Sequence, residues 1–132
     1  MKVPFLLLVP LLCTACAAHR SAGPCGESFC LPPEARLLTK RTPVEDFNLY
    51  HVEWNGAGFL IYEGNAPTEG QGEVRTLPLP LDAKASLRRN GERGSVVMRL
   101  RPRWPNFLQI EGPCAPAGEC LAATLARDIT RI

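Results

Sequence analysis

Histidine is nearly absent from this sequence, with two in 132 residues, and only His51 falls where a folded domain is expected. Proton relays and many metal centres lean on imidazole, so that scarcity leaves one candidate for either role. No Gly-x-Ser-x-Gly elbow, His-Glu-x-x-His pair, Walker sequence or dinucleotide fingerprint occurs. Lysine is scarce too, three against twelve arginines, which supplies rigid forked cations without identifying a nucleic acid. The formal net charge of +2 is too close to neutral for long-range attraction to a polyanion. No apolar run is long enough to cross a bilayer as a helix: residues 3–12 are all apolar but are interrupted by Pro4 and Pro10, and a span needs about 20 residues.

What is present begins with that run. Lys2 precedes it, and the small residues Thr14 and Ala15 lead from it to Cys16. Charge, apolar stretch and small residues in this order are the parts of a secretory signal. With the cysteine they resemble the lipobox of bacterial lipoproteins, although Cys13 stands where leucine is usual. The resemblance implies a signal peptide over residues 1–15 and cleavage before Cys16. It further implies a diacylglycerol thioether on that cysteine and an added acyl chain, such as palmitate, on the new amine. Several chains hold firmly, because each buried methylene contributes about 0.8 kcal/mol. Ala17 resembles the class sorted to the outer membrane, so the resemblance implies a lipid anchor in the bacterial cell envelope and a domain facing the periplasm. Residues 16–24 then read as lipidated terminus and tether, and residues 25–132 as a single small folded domain.

Four cysteines remain: Cys25, Cys30, Cys114 and Cys120. Four cysteines allow three pairings. The near-neighbour solution, Cys25 with Cys30 and Cys114 with Cys120, encloses turn-forming residues in both loops, and links between the two ends of the domain are the competitor. The spacings do not make paired zinc knuckles, and an exported chain favours disulfides over a thiolate site. No metal and no cofactor is expected.

Thirteen prolines and eleven glycines predict many turns and short elements. Asn55 and Gly56 suit a type I-prime hairpin turn that sets Trp54 opposite Ala57, Val52 opposite Phe59 and Tyr50 opposite Ile61, all on a core face. The reverse face carries Leu49, His51 and Glu53 opposite Tyr62, Leu60 and Gly58, a mixed surface that suits packing or a ligand groove. Residues 64–72 read as a loop. Leu77, Leu79 and Leu81 alternate, but Pro78 and Pro80 confine them to an edge strand or extended cover. A second hairpin is expected around Asn90-Gly91, with Val96, Met98 and Leu100 projecting one way. A short extended stretch follows around residues 107–111, bounded by Pro102 and Pro105. Leu121, Ala122, Leu125, Ala126, Ile129 and Ile132 make a helical stripe, with a final strand as the competitor. The expected class is α+β: a small, mostly antiparallel sheet with two Asn-Gly hairpins and a C-terminal covering helix.

Residues 84–103 hold seven basic residues and one acid, whereas residues 27–73 hold eight acids and three bases. Arg88, Arg89, Arg99, Arg101 and Arg103, with Trp104, are therefore the candidates for contact with an anionic envelope component or a protein, and His51 and Tyr62 for contact through the mixed face. Trp104 and Phe107 beside cations contain the ingredients of a strand-stacking platform, but export argues against nucleic acid. The function expected is binding, assembly or maintenance at the envelope, on a domain held to the membrane by its N-terminal lipid. The alternative is a small periplasmic hydrolase or other enzyme using His51, oriented by Glu53 or Glu63.

Overall fold

The computed structural model describes residues 22–44, 46–81 and 83–132; the signal segment, Cys13 and Cys16 lie outside them. Strands β1 (Phe29–Cys30), β2 (Arg36–Val44), β3 (Phe47–Trp54) and β4 (Ala57–Gly64) are followed by β5 (Glu73–Pro78), β6 (Lys84–Asn90), β7 (Arg93–Arg99) and β8 (Phe107–Pro113). A helix, α1 (Leu121–Asp128), and a last strand, β9 (Thr130–Arg131), complete the chain. Seven strands form one antiparallel sheet in the order β2-β3-β4-β8-β7-β6-β5, and β1 pairs with β9.

The α+β expectation is overturned, because nine strands and a single eight-residue helix make the described residues mostly β. Two segments account for the difference. The region from Pro24 to Pro43 reads as punctuation, with a turn of helix or a short extended segment over residues 34–38; it instead leads into a nine-residue edge strand, Arg36–Val44. Its register shifts between Leu37 and Thr39 and again between Arg41 and Val44, so no regular alternation of apolar residues marks it. At the other end the helical stripe stops at Asp128. Ile129 still donates its N–H to Leu125 O, but the backbone then extends so that Phe29 faces Arg131 and Cys30 faces Thr130, and Ile132 N donates to Ser28 O. Helix and final strand thus follow one another.

The first hairpin has the expected register: Trp54 faces Ala57, Val52 faces Phe59 and Tyr50 faces Ile61. Asn55 and Gly56 take φ of 51° and 76°, the left-handed pair that a type I-prime turn requires. In the second hairpin Asn90 faces Arg93, so the two turn residues are Gly91 and Glu92. β5 is an edge strand that ends at Pro78, the residue that cannot donate to a further ladder, and Leu81 is exposed. β8 is the middle strand of the sheet.

Period-two alternation gives the sheet one apolar face. Tyr50, Val52, Trp54, Phe59, Ile61, Leu87, Val96, Met98, Leu108 and Ile110 are buried there. Two covers lie on it. The buried side of α1, with Ala122, Ala123, Leu125 and Ala126, packs on β7 and β8; its alanines let backbone approach backbone. The N-terminal segment supplies Phe29, Leu31 and Ala35, with the Phe29 ring edge-on to Tyr50 at 5.2 Å between centroids. Disulfides Cys25–Cys30 and Cys114–Cys120 close the predicted short loops. Gly23 and Pro24 belong to the fold rather than to a free tether, since Gly23 N donates to Leu31 O and Leu31 N to Pro24 O.

Candidate functional site

Among the described residues, the second face of the sheet carries no helix. Across it, His51, Leu60, Glu111, Ser95, Arg88 and Val74 are successive cross-strand neighbours. The adjacent row is Leu49, Tyr62, Gln109, Val97, Ser86 and Thr76. Leu49, Leu60, Tyr62 and Val97 are only partly buried, and the Phe47 and Tyr62 rings lie 5.5 Å apart.

Among the described residues, one segment crosses this face. The connection from β4 to β5 must travel from the third strand to the far edge, and residues 65–72 do so as a strap fastened at three points. Tyr62 OH accepts from Ala66 N at 2.8 Å. The Gln109 carboxamide makes a two-way contact with the Thr68 backbone, accepting from its N–H at 2.8 Å and donating to its carbonyl at 3.0 Å, and also donates to Ser95 Oγ at 2.8 Å. Arg88 Nη1 donates to Gly72 O at 3.3 Å. Between strap and sheet lies a groove of about 450 Å³. Val74, Val97 and Phe107 give it an apolar side; Asn65, Thr68, Glu69, Ser86, Arg88 and Ser95 give it polar groups.

The sequence candidates divide between regions. Tyr62, His51, Arg88 and Arg99 belong to the uncovered face, where the Arg99 guanidinium stands 6.0 Å from the Phe107 ring centroid. Arg89, next along β6, points to the other side. There it donates to Gly118 O at 2.6 Å, Ala115 O at 2.8 Å and Gly91 O at 3.1 Å, clasping the loop closed by Cys114–Cys120. Arg101 lines a groove beside the end of α1. Arg103 and Trp104 sit in the β7–β8 connection, where Trp104 Nε1 donates to Asp46 O at 2.8 Å. Arg88 and Arg89 therefore do not share one contact surface, because neighbouring residues on a strand face opposite ways. Arg89→Ser is expected to cost about 1 kcal/mol of stability in urea denaturation, since it strips a charge-assisted donor from three carbonyls at a partly exposed site. His51→Gln should fall within about 0.5 kcal/mol of the parent, as surface substitutions do.

No dyad forms around His51. It is exposed, between Thr39 and Leu60, and no hydrogen bond joins its ring to another side chain among the described residues. Glu53 on the same face meets Arg36 at 3.5 Å. Glu63 points to the opposite, buried face.

Glu63 anchors a cluster that sequence reasoning missed. Fully buried at 0% exposure, its carboxylate accepts from Ser28 N at 2.8 Å, from the Ser28 hydroxyl, from Asn48 Nδ2 at 3.0 Å and from Tyr50 OH at 2.7 Å. Burial alone would raise its pKa; the donors from Ser28, Asn48 and Tyr50 outweigh that and hold it below the ordinary value of 4.5. Burial first, then donation to Glu63, pushes the Tyr50 pKa well up, so the phenol stays a donor. The parity of Phe59, Ile61 and Glu63 was the available signal for this burial.

Compared with protein-family models, curated proteins and solved structures, the chain gives no match.

Proposed function

We propose that this chain is an envelope-tethered binding module, anchored through lipid on Cys16, whose contact surface is the uncovered sheet face beneath the 65–72 strap. The observation that carries the reading is the strap itself. A face left open by the helix is bridged by one segment, held by Tyr62, Gln109 and Arg88, over a groove with apolar and hydrogen-bonding sides. Pockets of roughly 300–1,000 Å³ with a few placed polar groups suit small or extended ligands. The two disulfides suit an oxidising compartment, which agrees with export.

Two measurements test it. Peptide mass analysis of protein from its native cell should find the N-terminus at Cys16 with thioether lipid and an acylated amine; an unmodified peptide beginning later removes the anchor. A photo-crosslinking amino acid at Val74, half-exposed in the groove, should capture a discrete envelope component. The same probe at Leu38, equally exposed on β2, should not, and Arg88→Ser should weaken the Val74 adduct several-fold. Equal capture from both positions sinks the reading.

A further inference from the structure

The two edges of the large sheet are not alike. At one end β2 is broken by two register shifts and carries Arg36, Lys40, Arg41 and Pro43, the bulges, cations and proline with which proteins guard a free edge against pairing. At the other end β5 keeps six consecutive partners on β6 without a shift, contains no lysine, and is exposed at every residue but Leu77. Its unused hydrogen-bonding groups can be assigned. Leu79 N donates to Ala83 O at 2.9 Å, in the register that pairs Leu77 with Ala85. Bonded pairs alternate along an antiparallel ladder, so Leu77, Arg75 and Glu73 bond to β6, while Val74 and Thr76 turn N–H and C=O outward. Pro78, in the same outward phase, has no N–H to offer and closes the open stretch. The Val74 side chain is 49% exposed.

We propose that this edge pairs with the same edge of a second copy of the chain, antiparallel across a two-fold axis centred on Val74. A two-fold contact must be self-complementary, and β5 meets that condition in this register. Val74 faces Val74, the two exchange both backbone hydrogen bonds, and Glu73 of each copy faces Arg75 of the other. Those last positions are non-hydrogen-bonded pairs, with Cα atoms about 4.5 Å apart, where opposite charges attract most closely. Among the described residues neither Glu73 nor Arg75 forms an ion pair, so both are available for this one. The neighbouring registers fail. An axis centred on Arg75 opposes two like charges, and one centred on Thr76 sets Val74 against Pro78, which cannot return a hydrogen bond. Two seven-stranded sheets thus join edge to edge. The strap groove opens on the face of the sheet rather than its edge, so the pairing goes beyond the function proposed above and does not depend on it.

The test uses the full chain in its native cell. Val74→Cys sets two cysteines with Cα atoms about 5.5 Å apart, within disulfide reach, so mild oxidation should trap a covalent dimer of the chain. Thr76→Cys lies on the same exposed strand, but its two copies stand about 13 Å apart along the strands. It should stay monomeric, whereas random collision would trap both variants alike. In the Val74→Cys background, Glu73→Arg or Arg75→Glu should cut the dimer about tenfold, because the two-fold counts each altered pair twice. The two changes together exchange the charges and should restore it. The photo-crosslinker at Val74 separates this pairing from the strap reading: an adduct of twice the chain's mass reports the second copy, and any other mass the occupant of the groove. No dimer from Val74→Cys, equal dimer from Thr76→Cys, or a double exchange as weak as the single changes overturns the proposal.

Discussion

Glu63→Ala is expected to lower the free energy of unfolding by about 3–5 kcal/mol at neutral pH, a large part of what a small domain has. Three kinds of donor lose their acceptor together. The Ser28 N–H, Asn48 amide and Tyr50 hydroxyl all end on this carboxylate, and each stranded donor costs about 1–3 kcal/mol. Glu63→Gln should be milder, about 1–2 kcal/mol. Its amide can face Asn48 if that side chain turns over, because the Asn48 partner Thr42 is a hydroxyl, able to donate or accept. The Ser28 N–H still needs the remaining oxygen. Acid separates the charge from the shape. The folded pKa of Glu63 lies below the unfolded value near 4.5, so its stabilisation is fully present above that pH and is lost as pH falls through the folded value. Urea midpoints should therefore show a constant gap between parent and Glu63→Gln from pH 8 down to about pH 5, narrowing below it. A gap that stays flat to pH 3 would falsify the ionised node.

This node also marks how far sequence could be read. The Tyr50, Val52, Trp54 and Phe59, Ile61 alternation, joined by Asn55-Gly56, fixes both a register and a core face, because turn chemistry and period agree. Carrying the parity two residues further buries Glu63. What turns that into a satisfied charge is Ser28, 35 residues away, in a proline-rich stretch without periodicity. The strap was illegible for the same reason: residues 65–72 have the composition of any loop, and only the position of β5 at the far edge makes them cross a face. Arg88 and Arg89 show a different limit. Their charge is obvious and their opposite directions follow from strand geometry, but whether a guanidinium meets a ligand or the carbonyls of Ala115 and Gly118 depends on a partner segment nearly thirty residues away. β2 and the early end of α1 belong with these cases, since pairing with β3 and β1 decided them against weak local signals.

Removing the Cys114–Cys120 bridge by the double serine substitution should cost about 2–3 kcal/mol, the loop-closure entropy of a short ring plus lost sulfur packing. The packing share can be isolated at Gly94. Its Cα lies against the disulfide so closely that a Cβ there would stand 2.7 Å from Cys120 Sγ and 2.9 Å from Cys114 Sγ. With the bridge intact neither sulfur can withdraw, because Cys120 leads directly into α1 and Cys114 N is tied to Glu92 O at 2.7 Å. Gly94→Ala should then destabilise by about 1–3 kcal/mol, as overpacking does. In the serine background the hydroxyls are smaller and free to rotate away, so the same substitution should cost less by about 1 kcal/mol, a coupling expected only of groups in contact. Arg89 keeps its hold on Ala115 O and Gly118 O in that background, so the loop stays in place and the cycle reports packing rather than local unfolding. Additive effects of Gly94→Ala and the double serine change would mean that the disulfide does not rest on the central strands and that α1 is not held at its start by this contact.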